Sequence, residues 1–231
     1  MPMLLYELVG QDAERPFSPH CWKVRMAIAH KRLAYETRPV PFTGIGAVEG
    51  GVSKIVPILR DGDTVVSDSF AIAEYLERSY PDRPSLFGGE GGRALARFVE
   101  AWSMRVIHPF IGGSALTDIH AVLAPTDQAY FRQSREQRFG RPLEEVPQGR
   151  EERLPAFRQS LEPLRAVLDR QLFLGGETPL FADHIVFGAF QWLRVASSFA
   201  VLEADDPIAA WFEACLDLYD GLGRKVPAAA A

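Results

Sequence analysis

The segment Phe17-Ser18-Pro19-His20-Cys21-Trp22-Lys23 places a hydroxyl, an imidazole and a thiol side by side. Ser18 is a preferred N-cap residue and Pro19 suits a first helical position, so a helix is specified to start here. A helix start presents free N–H groups and a partial positive charge, which together favour an anion. Ser18 either only caps its own helix or also sets its hydroxyl beside a bound anion. Cys21 follows three residues later, so Ser-x-x-Cys fills the frame of a redox Cys-x-x-Cys motif with serine in the nucleophilic place. A hydroxyl forms no mixed disulfide, but it donates a hydrogen bond to a thiolate. The simpler reading of Cys21 is a small buried hydrophobe.

Two further elements offer polar recognition. In Lys54-Ile55-Val56-Pro57-Ile58, proline costs a ladder bond within a sheet and is best tolerated at a strand start or in a special turn. A cis Val56-Pro57 bond, cheap only before proline, would leave the N–H and C=O of Val56 free for an extended ligand; a plain strand start is the alternative. In Val66-Ser67-Asp68-Ser69-Phe70, Asp68 or Ser69 can cap the next helix. The same groups could instead take an ammonium on Asp68 and a carboxylate on Ser69 and the helix N–H groups, as a zwitterionic α-amino acid requires.

Trp102, Arg105, Val106 and Pro109 recur at i, i+3, i+4 and i+7, so they share a helix face. An aromatic ring with a guanidinium could orient an aryl ketone; core or interface packing is the other reading of the stripe. His20 either faces solvent or joins Phe17 in an electrophile pocket. His108, His120 and His184 show no metal-ligand spacing, so no metal is expected and these side chains read as structural or exposed.

The elements that must position these residues follow from periodicity. Leu4 to Val9 and Tyr35 to Val40 read as strands, with a helix from Cys21 to Ala29 between them. Ile55 to Leu59 and Thr64 to Val66 form a hairpin around Asp61-Gly62-Asp63, and a helix begins at Phe70. This order fits a small mixed sheet with helices packed on it. Pro81-Asp82-Arg83-Pro84 and Gly88-Gly89-Glu90-Gly91-Gly92 then break the pattern. The boundary is set there: an α/β domain over 1–85, a linker over 86–92 and an all-helical domain over 93–231. Helices are expected near 98–110, 127–139, 151–172, 182–200 and 207–220.

Composition narrows the function. The 231 residues carry 25 Lys plus Arg against 30 Asp plus Glu, a net charge of −5, which disfavours a broad nucleic-acid surface. Two cysteines form no disulfide framework and favour a reducing compartment. The apolar run from Ile185 to Leu202 is broken by Gln191 and Arg194, so it reads as a core helix, not a span of about 20 apolar residues. With no signal-peptide pattern at the start, a cytoplasmic protein free of membranes and nucleic acid is expected.

The three polar elements, in this order and spacing, resemble the glutathione transferase superfamily. The resemblance implies a thioredoxin-like N-terminal domain, an all-α C-terminal domain, a homodimer and glutathione as co-substrate. It assigns Ser18 to the glutathione thiolate, Val56 (with Pro57) to the cysteinyl backbone, and Asp68 with Ser69 to the γ-glutamyl end. Phe42-Thr43-Gly44-Ile45, Ser134-Arg135-Glu136-Gln137, Gly149-Arg150-Glu151 and Asp220-Gly221-Leu222-Gly223-Arg224 are similar to bacterial glutathione-dependent β-etherases and fungal etherase-like transferases. This implies a hydrophobic, aromatic electrophile and points to reductive β-aryl ether cleavage. Superfamily members carry Ser or Thr three residues before the aspartate matched by Asp183; here that residue is Leu180. The competing expectations are a non-catalytic carrier of glutathione and aromatic compounds, and a deglutathionylating thiol–disulfide oxidoreductase.

Overall fold

In the computed structural model, residues 2–230 are described. β1 (Met3–Leu8) is buried along nearly its whole length, which is why its run is almost continuously apolar. α1 (Pro19–His30) carries the chain across to β2 (Tyr35–Val40), which pairs parallel to β1. β2 contains Pro39 and alternates half-buried with exposed residues, as an edge strand does. After a 3-10 segment, Phe42–Gly51, β3 (Ile58–Asp61) runs antiparallel to β1, and β4 (Thr64–Ser67) antiparallel to β3. The sheet order is β2-β1-β3-β4, and α2 (Ser69–Ser79) follows.

Register decides what this sheet can do. Tyr6 of β1 pairs with Ile58 of β3, and Ile58 in turn pairs with Ser67 of β4. The end of β1, the start of β3 and the end of β4 therefore lie at one end of the sheet, each about 4.8 Å from the next. The chain immediately beyond those points supplies the Ser18 loop, Val56-Pro57 and Asp68-Ser69.

The remaining elements are helical: α3 (Glu90–Ser114), α4 (Leu116–Val122), α5 (Pro125–Phe139), α6 (Arg150–Ser160), α7 (Glu162–Leu168), α8 (Phe181–Ala196) and α9 (Pro207–Gly221). The single helix expected over 151–172 is two, divided at Leu161 with Pro163 opening the second. The helix expected to run to 200 stops at Ala196. The glycine-rich stretch is also shorter as a connector than its composition implies. Leu86 and Phe87 fold into the core, Phe87 stacking on Phe70 and meeting Phe181 edge-on, and α3 already begins at Glu90. Gly92 makes this tight turn possible: a Cβ there would sit 1.7 Å from the Phe87 carbonyl oxygen.

α8 is buried almost all round and packs along α1 and α3, the position its apolar sequence demands. No helix among the described residues is long and apolar enough to cross a membrane. The Asp183 carboxylate is fully buried and accepts from the backbone N–H groups of Leu174, Gly175 and Leu180 and from Trp211 Nε1. The reciprocal bond runs from Asp183 N–H to the Leu180 carbonyl, because leucine has no side-chain acceptor. Its backbone thus does what a Ser or Thr hydroxyl would do.

The sheet domain and the helices are joined by polar contacts between them. His30 Nε2 faces the Ser85 carbonyl at 2.9 Å, so that nitrogen carries the proton and Nδ1 accepts from the Tyr219 hydroxyl at 2.9 Å. Tyr219 then accepts from His184 Nε2 at 3.0 Å. The arrangement works with both rings neutral, and burial lowers the pKa of both.

Burial lowers His20 and His108 as well. Neutral imidazoles of this kind stabilise fully above the unfolded value near 6.5, and the contribution is lost as pH falls below it. Glu7, which burial raises to about 7, acts in the opposite sense, losing its contribution as pH rises through that value. Asp183, also raised by burial, acts in the same sense, so two carboxyls stand against four imidazoles. Denaturant midpoints should therefore fall as pH drops from about 7 to about 5, and fall less steeply in His30→Gln, which keeps both hydrogen bonds without a titrating ring. A flat wild-type profile would contradict the neutral-network account.

Candidate active site

Ser18 sits where the loop after β1 enters α1 and is 4% exposed. Its backbone is extended (φ −62°, ψ 125°), Pro19 takes the first helical position, and its Oγ accepts from Cys21 N–H at 3.3 Å. Its hydroxyl also lies against the Cys21 thiol and donates to no other acceptor among the described residues. Two features fix this helix start. Trp22 Nε1 donates to the Pro16 carbonyl at 2.9 Å, and Gly188 of α8 lies so close that a Cβ would meet the Pro19 carbonyl oxygen at 2.4 Å.

The Val56-Pro57 bond is cis, and both residues are buried. Neither the N–H nor the C=O of Val56 has a hydrogen-bond partner among the described residues. Asp68 adopts φ 77°, a region that costs a non-glycine residue of order 1–3 kcal/mol and recurs at functional sites. Its Oδ1 accepts from Phe70 N–H at 3.0 Å and Ala71 N–H at 2.9 Å, leaving Oδ2 free. Ser69 is buried at the first position of α2. The Arg97 guanidinium of α3 lies 3.4 Å over the neighbouring Phe70 ring, bringing a cation to the same helix start.

These features test whether glutathione fits. An extended tripeptide laid across the strand ends meets, in spatial order, an anion-binding helix start with a hydroxyl, an unpaired backbone pair and an acid–hydroxyl corner. The residues fit the molecule. No group of side chains able to hold a metal ion is found among the described residues.

Two models of protein families match the chain: the glutathione S-transferase N-terminal domain over residues 17–79 and the C-terminal domain over 94–218. The chain belongs to the glutathione S-transferase family. All five residues assigned to glutathione lie inside the N-terminal match. The chain is 44% identical over 69 residues to glutathione S-transferase Z1 of Arabidopsis thaliana, a match spanning 28% of this chain and 31% of that relative. The glutathione transferase GSTFuA3 of Phanerochaete chrysosporium superposes with a TM-score of 0.77 at 30% identity, covering 98% of this chain and 94% of that one. A Ceriporiopsis subvermispora glutathione S-transferase, solved in complex with glutathione, superposes at 0.71 with 25% identity, over 97% and 95% of the two chains.

The structure distributes the expected electrophile residues unevenly in this transferase fold. Phe17 is buried, packs against Phe42, and lines a cavity of about 360 Å³ with Arg15, Val122 and Val195. His20 is half-buried and stacks on His108 of α3, ring centroids 5.2 Å apart. Trp102 and Val106 are half-buried on α3 and Arg105 and Pro109 are exposed; none of the four forms an ion pair, ring contact or hydrogen bond with Ser18 or His20. The ring of α3 that does stack on the α1 start is His108. The ring of Trp192 of α8 lies 5.9 Å from it; sequence spacing reads His108 only as structural or exposed, because the tertiary packing of α3 and α8 brings these rings together.

Cys21 is fully buried, and burial pushes its thiol up to about 12. A thiol so hard to ionise is a poor nucleophile at neutral pH. Cys21→Ala should therefore retain wild-type turnover at a modest loss of stability; a large drop in kcat would assign the thiol a chemical role.

Proposed function

We propose that this chain is a glutathione transferase that stabilises the glutathione thiolate for attack on a hydrophobic, aromatic electrophile. The observation that carries the reading is Ser18: a buried N-cap hydroxyl at the start of α1. Glutathione, as co-substrate, supplies the thiol. A free thiol titrates near 8.5, and lowering that by two units requires about 2.7 kcal/mol of preferential thiolate stabilisation. A hydrogen bond to a charged group contributes about 1.5–3 kcal/mol and a helix terminus up to ~2 kcal/mol. Together they suffice without a metal or a general base.

Val56 would fix the cysteinyl unit through its backbone pair. Asp68 Oδ2 would take the ammonium, and Ser69 with the α2 start the carboxylate. Thiol–disulfide exchange is disfavoured, since serine holds the nucleophilic place and Cys21 is buried. Reductive cleavage of a β-aryl ether, with loss of a phenolate from a carbon next to a ketone, is the finer form of this proposal. It is supported by the likeness of motifs to β-etherases and by the superposition on a fungal transferase. A two-fold dimer is also proposed, supported by the outward-facing Phe98 and Leu95 of α3.

Ser18→Ala should lower kcat/KM roughly 10- to 150-fold, the loss of one charged hydrogen bond, with glutathione affinity largely kept in calorimetry. Turnover at the wild-type rate would remove Ser18 from the mechanism. Tight glutathione binding with no turnover across several electrophile classes would favour the carrier instead. A panel of aryl ether ketones then tests the etherase form: release of the phenol with a glutathione thioether is expected, and no release rejects it.

A further inference from the structure

Phe42-Thr43-Gly44-Ile45 and Ser134-Arg135-Glu136-Gln137, two motifs of the etherase-like pattern, lie far apart in sequence and meet in the fold through Phe42 and Arg135. Phe42 opens the 3-10 segment Phe42–Gly51, and the flanking Pro41 has no side-chain acceptor to cap it. The first N–H groups of a helical segment find no partner within it. Asp127, on the first turn of α5 and 85 positions beyond Phe42, supplies the missing cap. Its carboxylate is fully buried. Oδ2 accepts from Phe42 N–H at 2.6 Å, and Oδ1 accepts from Thr43 N–H at 3.0 Å and from the Thr43 hydroxyl at 2.7 Å.

The same helix grips the Phe42 side chain. The rings of Phe131 and Tyr130 lie 5.7 and 6.2 Å from it, and the Arg135 guanidinium 5.8 Å over its face. Phe42 in turn packs on Phe17, with centroids 6.3 Å apart, and Phe17 precedes Ser18. At its far end the segment leads into Val56. Its middle has few ties of its own. Ile45 and Val48 are buried, and Glu49 accepts from the Tyr6 hydroxyl and pairs with Arg60 at 3.4 Å. Glu49, Gly50 and Gly51 all take positive φ, and Val52 and Ile55 are exposed. A stretch of this kind keeps one conformation only where something outside it holds it.

We propose that Asp127 is a positioning residue for glutathione. Without touching the ligand, it holds the segment that braces Phe17-Ser18 at one end and carries Val56 at the other. This rests on the transferase reading and adds to it a residue of the helical domain. The argument is one of populations. Taking the carboxylate away leaves two buried backbone N–H groups without an acceptor, a penalty the segment escapes by moving out into water. Apparent affinity then falls with the fraction of molecules still in the binding conformation.

The test is a graded series with a matched control. Thr43→Val removes one of the three bonds, Asp127→Asn leaves one oxygen where two accepted, and Asp127→Ala removes all three. Asp206→Ala is the control: Asp206 is also a buried carboxylate cap, but its side chain bonds Ile208 N–H of α9 and Arg165 of α7. Calorimetry well below every unfolding midpoint should find the Kd for glutathione raised about tenfold or more in Asp127→Ala. The rise should be smaller in Asp127→Asn, smallest in Thr43→Val and absent in Asp206→Ala. Hydrogen exchange over residues 42–55 should quicken in Asp127→Ala and slow again at saturating glutathione. Wild-type affinity in Asp127→Ala, or an equal loss in Asp206→Ala, would overturn the inference and leave the transferase reading standing. Should Asp127→Ala not fold, Asp127→Asn against the wild type decides in the same way. A wild type that does not bind glutathione removes both.

Discussion

The site depends on holding the first turn of α1 still. A serine hydroxyl and a few backbone N–H groups stabilise a thiolate only if they are already aimed at it, since reorienting them on binding would consume the stabilisation they provide. In this chain the turn is gripped from three directions. Pro19 sets its dihedrals, the Pro16 carbonyl is tied to the Trp22 indole, and α8 presses against it at Gly188 with no side chain between. The Ser18 hydroxyl belongs to one domain, while its rigidity comes partly from the other.

That dependence explains why so much buried polarity lies between the sheet and the helices. Lys23 of α1 meets Glu100 of α3, and His30 of α1 meets His184 of α8 through Tyr219. Breaking such contacts would strand a charge or an imidazole in a low dielectric, so the domains are discouraged from sliding past one another. On the far edge of the sheet, the buried Asp127 of α5 accepts from Phe42 N–H at 2.6 Å and from Thr43 N–H at 3.0 Å. This pins the start of the irregular segment after β2 to the helical domain. Glutathione would meet a surface shaped by both parts of the molecule, although every residue assigned to it comes from the first.

What sequence reveals and what it conceals follows the same division. Ser18-Pro19, Val56-Pro57 and Asp68-Ser69 stand out because cap and turn chemistry is written in adjacent residues. Their order along the chain also anticipates their order in space, because short antiparallel connections join β3 to β4. The helical domain is less readable. The run from Gly88 to Gly92 looks like a flexible connector, yet Gly92 serves a close backbone approach and the neighbouring Leu86 and Phe87 complete a core. The spacing of Trp102, Arg105, Val106 and Pro109 marks a helix face but not which neighbour it meets. His108 and Trp192 carry no local signal, because the stacking of His108 on His20 and of Trp192 against His108 is set by how the helices pack.

The proposed activation is electrostatic: the start of α1, with the Ser18 hydroxyl, would favour the thiolate of bound glutathione over the thiol. The most direct measurement is the ultraviolet absorbance of the thiolate, titrated with pH in the binary complex. The midpoint should lie about two units below the free-thiol value near 8.5, and most of that shift should vanish when the hydroxyl is removed. A bound thiol that titrates where the free one does would contradict the account.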